Sequence, residues 1–337
     1  MTHRYCLLDV FTDRPLLGNP LACVVDAEGL ADAQMQQLAR WFNLSETSFL
    51  LPPRDPQADY RVRIFTPGGE LPFAGHPTLG SCAAWLLNGG RPRTPGRVLQ
   101  ECGIGLVTVR QDGAHGARLA FDAPPLRRHE PVSGPEREQA VASLGLTPLE
   151  LMWIDNGPGW MGARFESAAQ VRALRPDFAA MRGLKIGVIG AQAPGSDSLF
   201  EVRAFVPSLG VPEDPVTGSL QAGLARWLIA SGQAPTRYVA AQGSQLGRDG
   251  RVHVEHDDRV LLAANQRHRV VQAPAHNVGH HAAFALRDAD DAVPDLQLAR
   301  QARRPPRYEF AYRRVLVQLR QRGADADQRQ PHLYAEV

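Results

Sequence analysis

The sequence predicts an α+β chain of two pseudo-symmetric lobes, each a curved, mixed, mostly antiparallel sheet wrapped around one central helix, with a cleft between them. Three observations predict this. First, residues 60–90 read YRVRIFTPGGELPFAGHPTLGSCAAWLLNGG. Polar and apolar residues alternate up to Phe65, a Gly/Pro-rich loop follows, and an apolar run from Pro77 stops at Gly89-Gly90. Those are the marks of a strand, a loop and a helix over about 77–88. Second, residues 200–232 repeat that order as FEVRAFVPSLGVPEDPVTGSLQAGLARWLIASG. V-R-x-F-x-P recurs at an offset of 140 residues, and Pro77-Thr78-Leu79-Gly80-Ser81 is echoed by Pro215-Val216-Thr217-Gly218-Ser219 at 138. Duplication explains such an ordered recurrence, and two copies are too few for a solenoid. Third, strands flank each apolar helix, as a sheet wrapped on a helix requires.

In chain order, residues 5–11 and 21–25 read as strands around a turn-rich loop. Helical spacing runs through Leu30, Met35, Leu38 and Phe42, and Asn43 to Thr47 end that helix. Residues 48–51 form a short strand before the first repeat. Strands over 98–100, 106–109 and 118–121 close the first lobe, and the polar stretch from Pro124-Pro125 to Pro135 reads as a linker. The second lobe opens with a helix over 136–144. A glycine-rich strand region (153–162), a short helix (168–174) and a strand (185–191) precede the second repeat. Strands over 238–241 and 251–262 follow it. The tail loses both periodicities and is rich in Ala, Arg, Asp and His, so a disordered extension and a reading-frame change both fit it. The expected units are 1–125, 126–272 and an atypical extension, 273–337.

A chain of 337 residues suggests about two domains. A formal net charge of +2 gives no reason to expect nucleic acid or a membrane surface. No stretch approaches ~18 apolar residues, and the N-terminus reads as a strand rather than a signal peptide. Cys6, Cys23, Cys82 and Cys102 form no CxxC pair and sit in apolar segments, as reduced core thiols of a cytoplasmic protein would. His276, His280 and His281 lie in the tail without a carboxylate or cysteine frame, so no metal is expected. No nucleotide-binding fingerprint is present, and no cofactor is expected.

The helix starts are where chemistry would sit. A helix N-terminus offers free N–H groups and partial positive charge to a carboxylate or phosphate. His76 stands before one start and Asp214 before the other, at equivalent points of the repeat. Thr78, Thr217 and Ser219 add hydroxyls, and Gly75 and Gly218 allow close backbone approach. Taken singly, Asp214 reads as an N-cap and His76 as a structural loop histidine. Glu46, in LSETSF, lies between an apolar helix and an apolar strand. A carboxyl in such surroundings could both take and give a proton, although a surface or capping glutamate is the plainer reading.

Together, DVFTDRPLLGNPLACVV (9–25), NLSETSF (43–49), RIFTPGGELPFAGHPTLG (63–80) and PEDPVTGS (212–219) resemble the PhzF-type phenazine biosynthesis protein family. The resemblance covers about residues 5–262. It implies the diaminopimelate-epimerase-like fold, with the active site between the lobes, and usually a homodimer. It also implies a cofactor-free isomerase of the kind that acts on trans-2,3-dihydro-3-hydroxyanthranilate. By motif, Glu46 resembles the acid/base residue, His76, Asp214 and Ser219 match active-site positions, and Gly75 and Gly218 line the pocket. Related epimerases carry a cysteine pair at the helix tips; here Gly75-His76 and Asp214-Pro215 stand there instead. The family usually ends soon after the strand at about 259–271. The resulting expectation is an isomerase moving a proton within a small carboxylate. A racemase or epimerase without paired thiols, and a non-catalytic metabolite-binding protein, are the alternatives.

Overall fold

The computed structural model describes residues 2–112, 118–209, 211–256, 260–265, 271–272 and 284–285. Apart from 284–285, the expected extension 273–337 lies outside the described residues. Strands β1 (Thr2–His3), β2 (Tyr5–Val10) and β3 (Asn19–Val24) lead to helix α1 (Asp32–Phe42). Next come β4 (Thr47–Leu51), β5 (Tyr60–Thr66), β6 (Gly69–Leu71) and helix α2 (Gly75–Leu87). β7 (Arg97–Cys102), β8 (Gly105–Asp112) and β9 (Arg118–Asp122) complete the first half. The second half runs β10 (Arg128–Pro131), α3 (Gly134–Leu144), β11 (Glu150–Asp155), β12 (Trp160–Phe165), α4 (Ala168–Ala173) and β13 (Lys185–Ala191). It continues with β14 (Phe200–Val206), β15 (Val211–Asp214), α5 (Gly218–Ala230), β16 (Arg237–Gln242), β17 (Gly250–His256) and β18 (Val260–Asn265). The short strands β19 (Val271–Gln272) and β20 (Phe284–Ala285) come last.

The two lobes have the same strand order. Pairing runs β2-β3-β4-β5-β7-β8-β9 in the first lobe. It runs β11-β12-β13-β14-β16-β17-β18 in the second. Each lobe is antiparallel except at two matching places, β3/β4 with β12/β13 and β5/β7 with β14/β16. The lobes join where β9 pairs antiparallel with β18 about Ala120 and Ala263. Each lobe's first strand is flanked by a strand that follows the other lobe's last: β10 lies on β11, and β19 lies on β2.

The central helices sit inside these sheets because their sequences give them no solvent face. Every residue of α2 from Gly75 to Ala84 is buried. Close wrapping needs small residues. A Cβ on Gly80 would come within 2.4 Å of the Leu21 side chain, so any larger residue would force Leu21 of β3 to move. The outer sheet faces are covered too. Met35, Leu38 and Ala39 of α1 pack with Phe49 and Phe65, and Leu144 and Val171 pack with Met161, Ile186 and Phe205. Strands covered on both faces lose polar alternation; all seven residues of β14 are buried. The repeated arginine has a repeated job. Arg63 forks onto Glu70 at 2.7 and 2.6 Å, and Arg203 onto Glu213 at 2.9 and 2.8 Å. Each pair ties a strand to the short strand that precedes the central helix.

Three expectations change. The strand region at 153–162 is a hairpin of β11 and β12. Asn156-Gly157-Pro158-Gly159 turns it, with Gly157 and Gly159 at φ +136° and +86°, and Asp155 accepts both glycine N–H groups at 2.7 and 2.6 Å. The strand expected at 251–262 is two antiparallel strands, β17 and β18; the polar run Asp257-Asp258-Arg259 separates them in the sequence. The expected linker contributes β10, whose four residues are all exposed, so burial leaves no pattern there to read. The four cysteines are buried and free, as expected. Among the described residues, no helix is long and apolar enough to cross a membrane.

Candidate active site

Each lobe delivers its short strand to the tip of its central helix. Gly75 and Gly218 open the two helices at an offset of 143 residues, the same offset that relates Ala120 to Ala263. The motif alignment at 138 is therefore corrected: the loop gains three residues instead of losing two. Strand register shows where. Ile64 pairs with Leu71 in the first lobe, and Ala204 with Asp214 in the second. Asp214 is thus the counterpart of Leu71. His76 lies in the first turn of α2 and is the counterpart of Ser219. His76 and Asp214 are not equivalent points of the repeat, although the fold still brings them together.

The two tips touch. A Cβ on Gly75 would stand 3.0 Å from the Gly218 Cα and 3.1 Å from the Phe121 ring. A Cβ on Gly218 would stand 3.2 Å from the Gly75 Cα and 3.3 Å from the Phe11 ring. Phe11 is fully buried and has φ +66°, a conformation that costs a non-glycine residue about 1–3 kcal/mol and clusters at functional sites.

Beside the tips lies a cluster of acids, drawn from both lobes. Glu46, just before β4, places Oε2 3.1 Å from Nδ1 of the buried His76. Asp214 Oδ1 accepts from the Ser45 hydroxyl at 2.8 Å and from Asn19 Nδ2 at 3.2 Å. Its Oδ2 accepts from the Thr217 hydroxyl at 2.5 Å. Asn19 Nδ2 also donates to the Val216 carbonyl at 2.9 Å and stands 3.5 Å from His76 Nδ1. Asn19 therefore links the β3 end of one lobe to the α5 tip of the other, while its buried Oδ1 has no hydrogen-bond partner. Burial, reinforced by the Glu46 charge, pushes the Asp214 carboxyl up to about 6, against the pull of His76, Thr217 and Ser45. Burial opposes charge on His76 most strongly, but the Glu46 carboxylate, joined by Asp214 and the Pro20 backbone, outweighs it and holds the imidazole above its ordinary value.

The structure thus gathers Glu46, His76, Asp214, Gly75 and Gly218. Ser219 sits at the α5 tip, where its hydroxyl accepts from Trp160 Nε1 at 3.0 Å and its carbonyl from Asn156 Nδ2 at 2.8 Å. Thr78 is different. It is fully buried, and its hydroxyl accepts from Gln100 Nε2 at 3.2 Å, with Tyr60 donating to the same Gln100 at 2.7 Å. That hydroxyl is committed to the interior of the first lobe. Asn19 and Ser45 were not singled out in the sequence. Their available signal was a polar residue in a G-N-P turn and a serine beside Glu46. Two surface depressions, of about 560 and 490 Å³, lie elsewhere: the first is lined by Asp26, Tyr60 and Trp85 among others, the second by Arg164 and Phe200 among others.

A model of the phenazine biosynthesis-like protein (PhzC-PhzF) family matches residues 8–275. A trans-2,3-dihydro-3-hydroxyanthranilate isomerase of Pseudomonas aeruginosa is 36% identical over 258 residues, 74% of this chain and 89% of that protein. A protein of Schizosaccharomyces pombe named antisense-enhancing sequence 1 is 36% identical over 262 residues, 73% of this chain and 88% of that protein. The crystal structure of a PhzF-family protein from Enterococcus faecalis matches with TM-score 0.65 at 28% identity, covering 79% of this chain and 96% of that one.

Proposed function

Because this chain belongs to the phenazine biosynthesis-like (PhzC-PhzF) family of isomerases, we propose that it moves a proton within a small carboxylate substrate, without a cofactor. The carrying observation is the Glu46–His76 contact at 3.1 Å beside two facing helix tips. Free N–H groups of the tips would hold the substrate carboxylate and stabilise charge that develops next to it. Glu46 would take a proton from one carbon and return it to another. His76, held protonated more readily than an ordinary histidine, balances the Glu46 charge while the proton is away from the carboxylate's neighbourhood and orients its oxygen. Asp214 stays largely protonated below about pH 6, so it can donate a hydrogen bond to a substrate oxygen.

Glu46, His76 and Asp214 stand in one cluster. That arrangement suits a single base, Glu46, working on one face of the substrate. The relatives' reaction suggests trans-2,3-dihydro-3-hydroxyanthranilate as the first compound to try. In light water, substrate deuterated at the donor carbon should be converted with part of that label delivered to the product carbon. Glu46→Gln should still bind it and lose at least about a thousandfold in turnover. Unchanged turnover in that variant removes Glu46 from the chemistry, and exchange with inversion at one centre would favour the epimerase reading.

A further inference from the structure

Duplication gives every group in the first half of the cleft a counterpart in the second. Ala22 pairs with Thr47 and Thr47 with Phe65; Met161 pairs with Ile186 and Ile186 with Phe205. Phe65 and Phe205 are the repeated phenylalanine of V-R-x-F. One residue back from Thr47 is Glu46, and one residue back from Ile186 is Lys185. The proton carrier of one half therefore corresponds to an ammonium group in the other.

Its surroundings match that correspondence. Trp160 is the strand partner of Lys185, and the Trp160 indole reaches the Ser219 hydroxyl at the α5 tip. Lys185 Nζ donates to the Pro158 carbonyl at 2.7 Å. Pro158 belongs to the same turn as Asn156, which holds the Ser219 carbonyl. That contact uses one of the three ammonium hydrogens. Lys185 is only half-buried, and desolvation pulls its ammonium below the ordinary lysine value while Asp155 supports its charge. A partly desolvated ammonium on the strand beside Trp160, whose indole reaches the α5 tip, suits an anion better than a neutral group.

We propose that Lys185 binds the substrate carboxylate from the α5 half of the cleft, opposite Glu46, so that the duplicated position supplies the base in one lobe and the anion-binding cation in the other. This rests on the carboxylate-isomerase reading above. The alternative role for Lys185 is to brace the 156–159 turn through Pro158.

The test compares two non-reacting probes, 3-hydroxyanthranilate and its carboxamide, by calorimetric titration of the full chain. The unaltered chain should prefer the carboxylate. Lys185→Met should weaken the carboxylate about ten- to a hundredfold, as loss of a charge-assisted hydrogen bond does, and change the carboxamide by less than about threefold. Lys185→Arg should restore most of the preference. Equal weakening of both probes marks a brace and overturns the proposal, as does an unaltered chain with no preference for the carboxylate. The catalytic reading is scored separately. Glu46→Gln should keep the carboxylate preference, and full turnover in that variant would sink the role of Glu46 while leaving that of Lys185 standing.

Discussion

Asp214 makes the site sensitive to pH. Burial and the Glu46 charge raise its carboxyl from the ordinary 3.8 to about 6, and His76 is raised too. In both cases the folded chain holds its proton more tightly than the unfolded chain. That stabilisation is complete below the ordinary values and is lost as pH rises through the folded ones. The Asp214 shift alone is worth on the order of 2–3 kcal/mol. The melting temperature should therefore fall by several degrees between pH 5 and 7.5, a window in which Asp32, Asp197 and Glu150, all lowered by arginine partners, stay ionised throughout. Asp214→Asn should flatten that slope, and an equal slope in the variant would assign it to other groups. At this scale the sequence showed which residue types mattered but not what they touch. Glu46, His76 and Asp214 could be named from their motifs. Asn19 could not, because its importance is a bond to Asp214, 195 positions away.

Among the elements, the two central helices were the most legible, since an apolar run between proline and glycine with at most one charge, Arg226 in α5, has to be buried on most sides. Their relative register was not. P-T-L-G-S and P-V-T-G-S look alike, yet Pro77 stands inside the first turn of α2 while Pro215 precedes α5. The true counterparts, Gly75 and Gly218, are set by strand pairing and not by local sequence. Short exposed strands such as β10 were illegible for a similar reason: a strand with neither face buried has no period to show. The contact between helix tips is testable. Gly75→Ala inserts a methyl group 3.0 Å from the Gly218 backbone, where it must push the tips apart. Overpacking of this kind costs about 1–3 kcal/mol. Turnover should suffer more, by about a hundredfold, because displacement of order 1 Å disrupts aligned groups. A variant with a lowered melting temperature and full turnover would show that tip contact is only structural.

At the scale of the whole molecule, two lobes and a cleft follow from the repeat, but the seam that joins them does not. β9 and β18 carry no mark of their mutual pairing, and β10 and β19 are too short to predict. Among the described residues, all pairings except β1 with β20 lie before residue 273. A chain ended after Gln272 should keep a single cooperative thermal transition. One ended after His256 lacks β18 and β19 and should melt at least about 10 °C lower or fail to fold; retention of the full transition by the shorter chain would show that the seam contributes little. The crossed placement of β10 and β19 has one more consequence. A polypeptide half this long could not cover its own first strand, but two copies could, each lending the other the segment beyond its last strand. Such a symmetric pair would already contain the seam, the facing glycines and two identical catalytic halves. Fusion of its genes would free the halves to diverge, leaving glutamate just before β4 and lysine at the matching place, the first residue of β13.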